Sequence, residues 1–355
     1  MYYSRLNLPF CGLTNQIFML VNSIIKAYEN GEKVVVLDYF LNDISKKNYT
    51  QCSDIFDIPK INNYLFSKYN VLIFDKYDAK FELLNVKYGT NEIKIDITQH
   101  IKEKFFNNNV LYINKNTELN ELAGDPVYNE PKKLFVYYKI QNYEIEEIYD
   151  EYLENDICFD ILNATYNLNH LCVNKNNEMF NDILTNIHYN SYYLEKSQKI
   201  FDHIFEDIDL TLQNKINVVH LRIEDDAIDH WSQVNKMNKL EFKNILEHKY
   251  ISYIEKFIDK DEQTIILSGN STNNVIQFLT ENNYNYLLPT KIFNEREKNA
   301  IIDLLISKYC NNIFIGNYNF INKSGSTFSY YVSKIINNDN NNIFIDLDDI
   351  NSDYF

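Results

Sequence analysis

The sequence predicts an α/β protein of two doubly wound halves facing a cleft, with a small β-rich module inserted in the first half. Three observations predict it. The chain opens β-α-β, strands and helices alternate again from Asn217 to Asp346, and between these stretches the helical period fades while strand-like pieces recur.

In the opening unit Tyr2–Leu8 is a short extended segment and Cys11–Gln16 is a turn built on Gly12. Ile17, Leu20, Val21, Ile24, Ile25 and Tyr28 then recur at helical spacing, and Gly31 supplies the stop. Lys33–Tyr39 (KVVVLDY) is a near-continuous apolar run, as a strand buried on both faces of a parallel sheet requires. From Leu84 to Gln141 the pieces Glu92–Ile97, Val110–Ile113 and Leu134–Ile140 read as strands, parted by turns at Gly89-Thr90-Asn91 and Gly124-Asp125-Pro126. Tyr143–Leu153 and Tyr189–Phe205 read as helices. The second series runs strand Asn217–Leu221, helix Lys239–Ile258, strand Thr264–Leu267, helix Thr272–Thr280, strand Tyr284–Leu288 and helix Glu295–Tyr309. It closes with strand Asn312–Ile315, helix Ser326–Ile336 and strand Ile343–Asp346. The expected division is therefore 1–83 for the first part of the N-terminal domain, 84–141 for the inserted module, 142–210 for its helical remainder and 211–355 for the C-terminal domain. Ligands of such a sheet sit outside the carboxyl ends of its strands.

Composition narrows the function. The net charge of −16 offers no basic footprint for nucleic acid and no polybasic patch for an anionic membrane, so neither is expected as a partner. The five cysteines, Cys11, Cys52, Cys158, Cys172 and Cys310, are odd in number and scattered, with no CxxC pair, which fits neither a zinc site nor a disulfide framework. No signal-peptide pattern follows Met1 and no apolar run reaches membrane-spanning length. The expectation is a protein of the cytoplasm or another reducing compartment. The histidines show no metal-ligand spacing, and Asp346-Leu347-Asp348-Asp349, though it contains DxD, lies after the last strand and reads as a solvated tail.

Three stretches can carry chemistry. Val218–Asp226 (VVHLRIEDD) puts His220 and Arg222 at the carboxyl end of a strand, on one face by alternation. Arg222 is one of only three arginines, with Arg5 and Arg296, in a chain that writes nearly all its positive charge as lysine. A guanidinium there suits bidentate contact with a phosphate. It equally suits a salt bridge with Glu224, Asp225 or Asp226. Ser326-Thr327-Phe328, behind Gly325, opens a helix and offers amides and hydroxyls to a phosphate, or simply an N-cap. Gly12-Leu13-Thr14-Asn15-Gln16 is a second glycine turn before a helix, and matches neither GxGxxG nor the P-loop.

Together these stretches resemble the fucosyltransferase superfamily that includes the protein O-fucosyltransferases. That family has an early glycine turn ending Asn-Gln, a His-x-Arg motif on the first strand of the second half, and a late Ser-Ser/Thr-Phe before a helix. Arg296–Gly316 (REKNAIIDLLISKYCNNIFIG) is similar to the segment leading into the last motif. Thr14 stands where the family usually has glycine and Leu13 where it commonly has arginine. The resemblance implies two Rossmann-like domains in the GT-B arrangement and an inverting, metal-independent transfer from a GDP-sugar, most simply GDP-fucose, to a glycan or protein hydroxyl. No cofactor is implied beyond that donor substrate. Carried onto this chain, Arg222 stabilises the leaving diphosphate, Asn15 reaches towards the donor and His220 supports the site. Gly12, Ser326, Thr327 and Phe328 hold the donor, and Asp303 contacts guanine. Glu224, Asp225 and Asp226 are candidates for the general base or an acceptor contact. The rival from another class is a catalytically inactive glycan- or peptide-binding protein on the same fold.

Overall fold

The structure, a computed structural model, describes residues 2–4, 12–43, 48–161, 178–204, 215–336 and 341–351. Cys11 and Cys172 lie outside them, and among the described residues Cys52, Cys158 and Cys310 are free thiols.

The N-terminal unit holds a parallel sheet of Tyr2–Ser4, Val34–Leu37 and Leu72–Asp75, with Val34–Leu37 in the middle. Alternation splits that middle strand between two cores. Val35 and Leu37 join Ile17, Phe18, Leu20 and Val21 of the helix Leu13–Glu29. Val34 and Val36 pack on Phe81, Tyr138 and Phe159 of an antiparallel layer. A second helix, Ile58–Tyr69, starts where the Asp57 side chain accepts the Lys60 N–H and stops at left-handed Asn70.

The antiparallel layer replaces the helices that would otherwise cover this face. Its larger sheet runs Tyr143–Asp150, Lys133–Ile140, Phe81–Gly89, Lys94–Asp96 in space, and its smaller one Ile157–Phe159, Val110–Ile113, Phe106–Asn107. Tyr143–Leu153, expected as a helix, is thus a strand over Tyr143–Asp150, paired antiparallel with Lys133–Ile140. The reason is local. Gln141 takes φ 53°, which closes a tight turn. Ile145 then faces the core while Glu144 and Tyr152 face solvent.

The C-terminal unit holds five parallel strands. Numbered in chain order within the unit (Ile216–Leu221, Gln263–Ser268, Tyr286–Leu287, Phe314–Gly316, Asn342–Phe344), their spatial order is 3-2-1-4-5. Ile216–Leu221 is buried at every position, as the central strand must be. Helices Asp225–Val234, Lys239–Phe257 and Asn274–Glu281 pack on one face through Ile228, Leu246, Tyr250 and Leu279. Helices Arg296–Ser307 and Thr327–Ile335 cover the other. That second face shares one apolar core with the helix Leu13–Glu29 and the helix Ser191–Ile204. The units therefore meet at a packed seam, with Phe18 edge-on to Tyr330 at 5.8 Å and Phe201 stacked on Tyr309 at 3.6 Å.

The chain end also departs from expectation. Asp346 is buried and its Oδ2 accepts a bond from Asn319 Nδ2 at 2.6 Å, while Asp348 accepts the Ser324 hydroxyl. These carboxylates are not a solvated tail. They brace the loop that leads into Ser326, a long-range role that a count of residues past the last strand does not reveal. Among the described residues no helix is long and apolar enough to cross a membrane.

Candidate active site

Strand order 3-2-1-4-5 has a topological switch point between its first and fourth strands, where the connections leave for opposite faces and open a crevice at the carboxyl edge. Here those strands are Ile216–Leu221, which delivers His220 and Arg222, and Phe314–Gly316, which delivers Asn317. Tyr250 fastens the two. Its hydroxyl accepts the Arg222 backbone N–H at 2.9 Å and lies within reach of the His220 carbonyl at 2.8 Å and of Asn317 Oδ1.

His220 is buried and its Nδ1 lies 2.7 Å from Ser329 Oγ, while its ring packs on Phe328 at 4.7 Å. Ser329 Oγ also accepts the Asn317 N–H at 2.9 Å, so one hydroxyl ties the end of the neighbouring strand to the imidazole. Burial pushes the ring down to about 4, with the Arg222 charge adding to the effect and Glu224 opposing it, so it stays neutral near pH 7. Gly316 permits this contact, because a Cβ there would stand 2.9 Å from Ser329 Oγ and 2.8 Å from the Phe314 ring. Ser329→Ala is expected to leave the Asn317 N–H and His220 Nδ1 unpaired. It should lower stability by about 1–3 kcal/mol in chemical denaturation. A variant within about 0.5 kcal/mol of wild type would contradict the network.

Arg222 is held by two acids. Nη1 donates to Glu224 Oε2 at 2.7 Å and Nη2 to Asp226 Oδ2 at 2.9 Å. The salt bridge left open by the sequence is therefore formed, with Glu224 and Asp226 but not Asp225, which is exposed. Asp225 and Asp226 open the helix Asp225–Val234, which the sequence reading omitted, and their charge suits its N-terminus. Burial would raise both Glu224 and Asp226, but Arg222 outweighs it and holds each below its ordinary range. Burial likewise opposes the Arg222 charge, and the two carboxylates more than restore it. Glu224 and Asp226 are consequently weaker bases than free carboxylates.

A cavity of about 210 Å³ opens along the same strand edge, lined by Ile266, Ser268, Leu288, Pro289, Lys291 and Asp303 among others. It is tied to Arg222 by a short chain of contacts. Glu224 Oε1 accepts the Gly269 N–H at 3.0 Å and the Gly269 carbonyl accepts Lys291 Nζ at 2.8 Å. Only glycine allows Glu224 so close, since a Cβ at Gly269 would meet its Oε1 at 2.7 Å. Burial pushes the Asp303 carboxyl up to about 7, Lys291 pulls against this and the Glu224 charge adds to it.

The N-terminal unit reaches this edge through the start of its first helix. Gly12 caps it, the Leu13 N–H donates to Glu297 Oε2 at 2.5 Å, and Thr14 Oγ1 meets Thr327 Oγ1 at 2.8 Å. Glu297 is buried, which raises its pKa, although the Leu13 N–H and Arg296 work the other way. Asn15 is half-buried and its side chain makes no hydrogen bond among the described residues. Gln16, by contrast, is committed to the backbone of Leu41 at 2.8 and 3.0 Å and is structural. Ser326 caps the helix Thr327–Ile335 by accepting the Ser329 N–H, the reading that the sequence set beside phosphate binding.

The fold thus gathers His220, Arg222, Glu224, Asp226, Ser326, Thr327 and Phe328 at one edge. It brings Gly12 and Asn15 to the edge from across the seam and sets Asp303 in the adjoining cavity. Tyr250, Asn317, Ser329, Lys291, Arg296 and Glu297 were missed. Only Arg296 gave a signal, as one of three arginines. Among the described residues no group of three or more His, Cys, Asp and Glu side chains is placed to hold a metal ion.

The described residues define an α/β protein of two parallel-sheet units, joined by a shared core and meeting beside a switch-point crevice. Its structure is similar over 97% of both chains to crystal structures of POFUT1 in complex with GDP-fucose, with a TM-score of 0.48 at 10% identity. It is likewise similar to POFUT1 in complex with GDP, at a TM-score of 0.48 and 9% identity, and to its apo form, at 0.45 and 11%. No family model and no curated protein matches the chain.

Proposed function

We propose that the protein is an inverting glycosyltransferase that moves a sugar, fucose by preference, from a GDP-sugar to a hydroxyl of a glycan or protein. One observation carries this reading. An arginine and a cavity that holds the Asp303 carboxyl stand side by side on the carboxyl edge of a 3-2-1-4-5 sheet, linked through Glu224, Gly269 and Lys291.

In this reading residues 211–355 hold the donor and the first helix closes on it from residues 1–83. Asp303 accepts the guanine N–H groups. Arg222, with the amides and hydroxyls of Ser326 and Thr327, faces the diphosphate. The acceptor oxygen attacks the anomeric carbon from the side opposite the diphosphate. The C–O bond to the β-phosphate breaks and its electron pair leaves with GDP. Arg222 stabilises that growing charge. Neutral His220 supports the site, and the Asn15 side chain supplies an uncommitted amide. Of the three acids behind Arg222, Asp225 alone is free of an arginine and open to an acceptor proton.

One feature favours the rival reading of an inactive glycan- or peptide-binding protein: Arg222 is already paired with Glu224 and Asp226. Thermal melting with GDP, GDP-fucose and UDP tests the donor. Guanine nucleotides are expected to raise the melting temperature, by about 2.7 kcal/mol of added stability at a hundredfold excess over Kd, and UDP is not. Equal shifts, or none, would remove the donor assignment. Release of free sugar from GDP-fucose separates enzyme from binder.

A further inference from the structure

Arg296 is the first residue of the helix Arg296–Ser307, and its side chain is 54% exposed. Its Nη2 lies 4.0 Å from Asp226 Oδ2, the oxygen that Arg222 Nη2 holds at 2.9 Å. On its other side Nε lies 4.0 Å from Glu297 Oε1, a buried oxygen with no hydrogen-bond partner. Both separations are too long for hydrogen bonds, and the Arg296 side chain makes none among the described residues. A guanidinium carries five N–H donors, so this one is a cation with its donors unspent. Two guanidiniums, one from each of two helix-opening segments, thus converge on a single carboxylate oxygen. That carboxylate belongs to Asp226, 57% exposed, which can turn out to water at little cost. A fork on either side of one anionic oxygen is the geometry that binds a phosphate, and a diphosphate offers more oxygens than a carboxylate.

We propose that Arg296 and Arg222 together hold the diphosphate of the donor, one of whose oxygens takes the place between the two guanidiniums that Asp226 Oδ2 fills here. The proposal rests on the donor reading above for the identity of the ligand, but the two-arginine anion site stands on its own geometry. It makes Arg296 a binding residue for the phosphates and Asp226 a carboxylate that the donor displaces. It also gives the Arg222–Asp226 pair a purpose, since Asp226 holds Arg222 ordered until the donor arrives.

Calorimetric titration of the full chain with GDP, inorganic pyrophosphate and guanosine tests it. R296A is expected to weaken GDP and pyrophosphate by about tenfold or more and to leave guanosine unchanged. R296K, which keeps the charge but not the fork, should fall between. D226N is expected to bind pyrophosphate more tightly than wild type, because the competing charge is gone. GDP binding to wild type with no loss in R296A would overturn the two-arginine site and leave the donor reading intact. Pyrophosphate binding that depends on Arg296, without GDP binding, would do the reverse. Binding in D226N that is unchanged or weaker would overturn the displacement, and no binding of either phosphate to wild type would overturn both. Unaltered melting of R296A confirms that any loss is local.

Discussion

Replacing Arg222 by lysine is expected to cut turnover of a GDP-sugar by about 100- to 1,000-fold while leaving the fold in place. Lysine keeps one positive charge but presents a point donor where arginine presents a fork. The guanidinium spans Glu224 on one edge and Asp226 on the other, with its Nη1 and Nη2 both engaged. An ammonium cannot meet a diphosphate oxygen and keep Glu224 seated against the Gly269 N–H. The fold should survive because the backbone N–H that bonds Tyr250 is unchanged, and because Asp226, the outer partner, is exposed and can be solvated. Donor turnover and a melting curve on the same preparation check both parts. Turnover like that of wild type would take Arg222 out of the mechanism.

The second large effect is expected at Asp303. Asp303→Asn should reduce the preference for GDP over UDP by about 100-fold or more, since an amide turns an N–H towards the N–H groups of guanine and leaves them unpaired. Binding should also depend on pH in a direction that follows from burial. Only the ionised carboxyl accepts from guanine with both oxygens, and burial places its pKa at about 7. Affinity for GDP-fucose is therefore expected to be full well above pH 7 and to fall as pH drops through 7, approaching about tenfold per pH unit. GDP-fucose is the right probe, because its phosphates carry no proton that titrates in this range, unlike the terminal phosphate of GDP. The same shift acts on stability with the opposite sense. The folded pKa lies above the unfolded value of about 3.9, so protonation favours the fold, and this contribution declines as pH rises from about 4 through 7. A flat pH profile with GDP-fucose, or an Asp303→Asn protein with unaltered discrimination, would place the base elsewhere.

How much of this was legible in the sequence depends on how far apart the determining residues lie. The alternation of strand and helix after Asn217 is a local signal, and the parallel sheet follows from it. The position of His220 and Arg222 at a strand end is equally local. Tyr143–Asp150 was misread because its alternation is interrupted by acids that face solvent in a strand as readily as in a helix. The helix Asp225–Val234 was missed because its first turn is written in the acids that drew attention as chemistry. Nothing within VVHLRIEDD says that Ser329, 109 positions on, bonds the His220 ring. Nor does it say that Tyr250 bonds the Arg222 backbone or that Glu297 receives the Leu13 N–H. Those contacts exist only once two strands are neighbours and two units share a core. The Asp346–Asp348 pair makes the same point from the other side. Its distance from the last strand suggested a tail, and its partners Asn319 and Ser324 make it a brace.

The proposed chemistry depends above all on where a guanine nucleotide sits. A crystal structure of the protein grown with GDP at a pH well above 7 tests this most directly. The base is expected in the cavity between Lys291 and Asp303, and the diphosphate within hydrogen-bond distance of Arg222 and of the start of the helix Thr327–Ile335. GDP bound away from the edge between Ile216–Leu221 and Phe314–Gly316, or none bound at saturating concentration, would contradict it.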